Sequence, residues 1–152
     1  MRRIMSLTLC FVLAFCLSAC DKEKTFTLVP FSRDVTFDMA DMTVRGTLTF
    51  EAKDNIAFKV KEPDYVSGVN FTRDEASVED ITITYGKVAD SSPVRILLDV
   101  IADLSERELT IPLSGEFSYS GETSSAGYKI IFDCENDTIT KIEAGKYTYN
   151  FE

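Results

Sequence analysis

From Thr25 to Phe151 most of this chain repeats its apolar residues with period two. Successive side chains of an extended strand point to opposite faces, so such a stretch has one oily face and one wet face. Phe26 and Leu28 alternate before Pro30. Val35, Phe37 and Met39 alternate next, a turn at Ala40-Asp41 follows, and Met42, Val44, Gly46, Leu48 and Phe50 keep one face. Lys53-Asp54-Asn55 reads as a second turn, before Ile56, Phe58 and Val60 with Lys59 and Lys61 on the opposite side. Three adjacent runs joined by short connections predict an antiparallel meander. Gly46, inside a long run, predicts a bulge or a strong bend.

Pro63 ends the third run. Val69 and Phe71 predict a short strand after Gly68, Asp74 to Asp80 reads as a charged connection, and Ile81, Ile83 and Tyr85 form a strand stopped by Gly86. The period then changes. Ser91 and Ser92 are N-cap candidates and Pro93 fits the first helical position. Val94, Leu97, Leu98, Ile101 and Leu104 share one helical face, which Ile96 and Val100 widen, while Asp99 and Asp103 lie elsewhere on the wheel. One helix of about three turns is expected here. Strands resume through Leu109–Leu113, Phe117 and Tyr119, Tyr128 to Cys134, Ile139 to Glu143 and Tyr147 to Phe151, with Gly121 to Ala126 as a polar loop. The reading is a mainly β domain over 25–152, a curved antiparallel sheet of about nine or ten strands. A lone amphipathic helix has to bury its apolar face, and the concave side of the sheet is the only candidate.

Ahead of the domain stands a different pattern. Arg2 and Arg3 precede an apolar run from Ile4 to Leu17, which closes on Leu17-Ser18-Ala19-Cys20. The run is about 14 residues, the length of a signal h-region and short of the roughly 20 a spanning helix needs. The stretch resembles the bacterial lipoprotein signal with its lipobox. That resemblance implies a signal peptide over 1–19, recognised through Leu17, Ser18 and Ala19, and a diacylglyceryl group on Cys20, which becomes the first residue. Two acyl chains give stable anchoring where one is marginal. The alternative is an ordinary secretory signal cut near Ala19 with Cys20 unmodified. Residues 20–24 make a short charged tether, so the domain is expected close to the extracytoplasmic face of the cell membrane.

Composition excludes much. There is no histidine, which removes Ser-His-Asp and Cys-His catalysis and every histidine-containing zinc site. No Gly-rich phosphate loop occurs. Asp133 to Asp137 superficially resembles a calcium loop but lacks Gly at the sixth position, and Ala144 stands where the bidentate Glu belongs. No catalytic residue, metal site or cofactor is therefore assigned, and the chain is read as non-enzymatic. Of four cysteines, the lipobox resemblance implies that Cys10 and Cys16 leave with the signal and that Cys20 is acylated, so Cys134 is left alone and no internal disulfide is expected. It continues the alternation of Tyr128, Ile130 and Phe132, which makes it a small buried apolar residue. Loss of Arg2 and Arg3 takes the net charge from −9 to −11, and no basic stripe with interleaved aromatics appears, so nucleic acid is not an expected partner. No protein partner is assigned.

The long amphipathic hairpins, the stretch from Glu62-Pro63 to Gly68-Val69-Asn70-Phe71, the Pro93 helix and the closing strand pair together resemble the half-barrel of the bacterial lipoprotein-carrier (Lol-like) lipid-binding family. The resemblance implies an apolar ligand, such as a lipid, on the concave face. The residues that would line that site are Phe37, Phe50, Phe58, Phe71, Tyr85, Leu97, Leu98, Ile101, Phe132 and Tyr147. One departure stands out: the carriers begin with a helix, and Thr25 to Phe31 here reads as extended. The same aromatics equally suit a filled core under the helix, as in any half-buried sheet. Two functions follow, a membrane-anchored binder of an apolar ligand and a solid-core interaction or structural domain at the cell surface.

Overall fold

The computed structural model describes residues 22–78, 81–84 and 91–152. Among them the chain runs β1 (Glu23–Thr27), β2 (Phe31–Met39), β3 (Met42–Ala52), β4 (Asn55–Glu62), β5 (Asn70–Phe71), β6 (Glu75–Val78), β7 (Ile81–Thr84), α1 (Pro93–Leu104), β8 (Glu108–Pro112), β9 (Glu116–Glu122), β10 (Gly127–Asp133), β11 (Thr138–Ala144) and β12 (Tyr147–Phe151). Ten strands form one sheet in the order β7-β6-β5-β4-β3-β2-β12-β11-β10-β9, and β1 pairs with β8 in a separate ribbon. Every pairing is antiparallel, and the ten-stranded sheet is open.

Local chemistry accounts for the joints. The hairpin between β2 and β3 turns through Ala40, in the left-handed region at φ 53°, and that between β11 and β12 through Gly145 at φ 57°. At Gly46 the β3–β4 register shifts, as the sequence predicts. A methyl group on Gly46 would lie 2.5 Å from the Lys59 carbonyl and from the Phe58 ring, so only glycine lets the two strands approach there. Helix α1 starts with Pro93 at its first turn and spans the predicted residues, although the Ser92 side chain makes no capping bond.

The sheet curls around α1. Arg73, in the β5–β6 connection, and Ser125, in the β9–β10 loop, both hydrogen-bond the Asp99 carboxylate on the helix. Strands β5 and β10 stand six places apart in the sheet order, about 29 Å in a flat sheet at the usual strand spacing. Two side chains reach one carboxylate from there only because the sheet wraps the helix. In keeping with that, α1 is buried nearly all round, from Val94, Leu97, Leu98, Ile101 and Leu104 to Ile96, Val100 and Ala102. A helix apolar on most sides belongs in a core. The same core takes in Phe26, Leu109 and Ile111 from the β1–β8 ribbon.

Four readings need correction. The charged stretch after Arg73 contains a strand, β6, whose Ala76 faces inward. Strand β1 takes in Glu23 and Lys24, which the sequence assigns to the tether. Strand β9 runs on to Glu122, into the expected polar loop. Leu113, placed on the inner face by alternation, is 44% exposed because β8 ends at Pro112.

Candidate functional site

Among the described residues the concave face carries one continuous buried cluster. Phe37, Phe50, Phe58, Leu97, Leu98, Ile101 and Phe132 are all buried and belong to that cluster. Their rings meet each other directly: Phe37 lies 5.7 Å from Phe58 and 5.2 Å from Tyr149, and Phe26 meets Phe132 edge-on at 5.0 Å. Phe71 and Tyr147 pack half-buried against the same cluster. The side chains predicted to line a ligand site thus contact one another and the helix. Tyr85, and the signal residues Leu17, Ser18, Ala19 and Cys20, lie outside the described residues.

Polar groups lock the helix in place. The Asp99 carboxylate is only 5% exposed. It accepts from Arg73 Nε at 3.0 Å, from Arg95 Nε at 3.0 Å and from Ser125 Oγ at 2.7 Å, so both oxygens are satisfied. One turn on, Asp103 accepts a bidentate pair from Arg107 at 2.8 Å each and a bond from the Tyr128 hydroxyl. Arg107 and Tyr128 hold the Asp103 carboxyl below the usual carboxylate range. Burial, and then the bond to Asp103, pushes the Tyr128 phenol up. At the other end of the helix, the buried Tyr149 hydroxyl donates to the Pro93 carbonyl at 2.8 Å. The helical wheel assigns Asp99 and Asp103 to a polar side. The signal for their role is the i,i+4 spacing of Arg95-Asp99, an ion pair within the helix, and of Asp103-Arg107, a pair between its last turn and the residues just after it.

Beside this clasp, Lys53, Arg73, Asp103, Glu106 and Ser124 frame a polar hollow of about 250 Å³. Its carboxylates are already paired with Arg73, Arg107 and Lys53. Among the described residues no group of His, Cys, Asp and Glu is arranged to hold a metal ion.

An apolar pocket does exist, in a different place. An open-mouthed space of about 260 Å³ lies where the β1–β2 link crosses the β10–β11 turn and the end of β12. Phe26, Leu28, Val29, Phe31, Ile139 and Phe151 line it, with Arg33 at the side. Arg33 is held by the Ile139 carbonyl at 2.8 Å and lies 5.8 Å from the centre of the Phe151 ring. Of the residues predicted to line a ligand site, none borders this pocket. Sequence alternation could not find it, because it forms between an irregular link and a turn.

Cys134 and the Asp133 turn remain. Cys134 is buried, and burial raises its thiol above the ordinary range. The Asp133 carboxylate caps its own turn, accepting from the Asn136 side chain at 2.6 Å and from the Glu135 backbone at 3.0 Å. The chain matches no protein-family model, no curated protein and no solved structure.

Proposed function

We propose that this chain is an extracytoplasmic lipoprotein, held at a membrane face by a diacylglyceryl group on Cys20, and that its domain is a non-enzymatic interaction module with a filled core. The lipobox pattern supports the anchor. The observation that carries the second half is the packing of α1: Leu97, Leu98, Val100, Ile101 and Leu104 are fully buried against the sheet, where a lipid carrier would keep a cavity. Work is then left to the outer surfaces, its loops and its strand edges. No helix among the described residues is long and apolar enough to cross a membrane, so attachment rests on the acyl group in this reading. The test is phase partition in detergent together with intact mass. The wild-type chain is expected in the detergent phase with acyl mass added at Cys20, and Cys20→Ser in the aqueous phase. A Cys20→Ser chain that still partitions into detergent overturns the anchor.

A second reading draws on the apolar pocket of Phe26, Val29, Phe31 and Phe151. Its volume falls just under the roughly 300 Å³ at which small-molecule pockets begin, which suits a short apolar group. A fluorescent fatty acid titrated into wild type and into Val29→Arg, at a residue 64% exposed on the pocket's lip, tests it. Equal signals from the two chains would remove this reading.

A further inference from the structure

The open sheet has two edges, and they differ. Strand β7 is four residues long. Strand β9 is seven residues long and pairs with β10 in unbroken register from Glu116↔Asp133 to Glu122↔Gly127. Natural proteins blunt exposed edges with short strands, charged side chains (lysine above all), proline, bulges or inward-pointing charge. Strand β9, Glu-Phe-Ser-Tyr-Ser-Gly-Glu, has no lysine, proline, bulge or inward-pointing charge, and its charged side chains, Glu116 and Glu122, stand only at its two ends. Phe117 and Tyr119 turn inward against the core, while Glu116, Ser118, Ser120 and Glu122 stand on the exposed face. Among the described residues nothing pairs with its outer edge.

Charge says what could pair there. Glu116 sits directly across from Asp133, a like-charge pair that is unfavourable in a sheet. Asn136 and two backbone N–H groups keep Asp133 ionised. Among the described residues neither Glu116 nor Glu122 joins an ion pair. A hollow of about 170 Å³ opens beside Glu116 and Asp133, bordered by Gly115 and Thr140. A second copy of this chain does not suit the edge. An antiparallel β9–β9 pairing centred on Tyr119 sets Glu116 against Glu122 twice, in a chain of net charge −9.

We infer that the outer edge of β9 accepts an extended segment of a partner protein as an added antiparallel strand, with a lysine or arginine facing Glu116 and another, six residues away, facing Glu122. Main-chain hydrogen bonds would supply affinity and the two carboxylates would choose the partner. The inference rests on the reading of the domain as an interaction module, but not on the acyl anchor.

The probe is a capped seven-residue peptide, Lys-Thr-Val-Thr-Val-Thr-Lys, titrated into the full chain and followed by amide hydrogen exchange. The peptide is expected to slow exchange along β9 and to leave β7 unchanged. Its analogue with glutamate at both ends should bind about tenfold more weakly. The double variant Glu116→Lys/Glu122→Lys should reverse that preference, and both side chains are exposed enough for the variant to fold. A peptide N-methylated along one edge should not bind. Equal binding of the two peptides overturns the charge rule, and protection absent from β9 overturns the edge. A concentration-dependent dimer with protected β9 overturns the choice of partner. A lipid released from the folded domain on denaturation, with β9 still protected by the peptide, overturns the filled-core reading and leaves the edge standing, so the two failures can be told apart.

Discussion

Arg73 and Ser125, from opposite ends of the ten-stranded sheet, hydrogen-bond the two oxygens of one buried carboxylate, Asp99. An open sheet has no strand-to-strand bond to hold its ends together. Here the closure is made by side chains through the helix, and the filled core beneath depends on it.

Removing that carboxylate should be costly. Asp99→Ala is expected to destabilise the domain by about 2–3 kcal/mol in urea unfolding, less than a fully buried pair because both arginines can rehydrate. Ser125→Ala should cost about 1 kcal/mol. Asp74→Ala, at a side chain 88% exposed, should stay within about 0.5 kcal/mol of wild type.

Acid should loosen the domain at two places, beside the helix clasp and on β2. Arg107 and Tyr128 depress the Asp103 carboxyl, and Lys61 and Thr47 depress that of Asp34. A depressed folded-state value means that the contribution is present above the unfolded value of 3.8 and is lost as pH falls through the folded one. Urea midpoints should therefore fall below about pH 4, and the fall should be shallower in Asp103→Asn.

Packing is tight enough to be felt from both sides. Leu98→Ala, at a fully buried helix position, should cost about 2–5 kcal/mol. Gly46→Ala should cost about 1–3 kcal/mol by forcing β3 away from Phe58 and the Lys59 carbonyl. Thermal or urea unfolding of each variant checks the pair.

The Cys134 thiol should be silent in the folded domain. Burial both hides it and raises its pKa, and the thiolate is the reactive form. In a Cys20→Ser chain carrying residues 20–152, a chromogenic disulfide reagent should react only after denaturant is added. Fast reaction in buffer would contradict the burial.

Much of this architecture is legible in the sequence because two periods suffice. Alternation places Val35, Phe37, Val44, Leu48, Phe58 and Val60 on the inner face, where all are buried. The switch to helical spacing gives Pro93–Leu104 with its bounds. What alternation cannot show is pairing between distant segments. Strand β1 joins β8 across more than half the chain, and nothing local in either sequence says so. Strand β6 is missed because its charged flanks mask a short run with one inward residue, Ala76. The burial of Asp99 is missed for a related reason. A helical wheel assumes one wet side, and a sheet that wraps the helix removes it. The apolar pocket joins Val29 to Asn136 and Phe151, a meeting that only the folded chain creates.

The most direct test of a tethered domain with a filled core is the intact mass of the full chain, extracted gently from its own membrane and measured under native and denaturing conditions. The account predicts a polypeptide starting at Cys20 that carries its acyl group and no further lipid in either condition. A second lipid, held in equal amount under native conditions and released on denaturation, would contradict it.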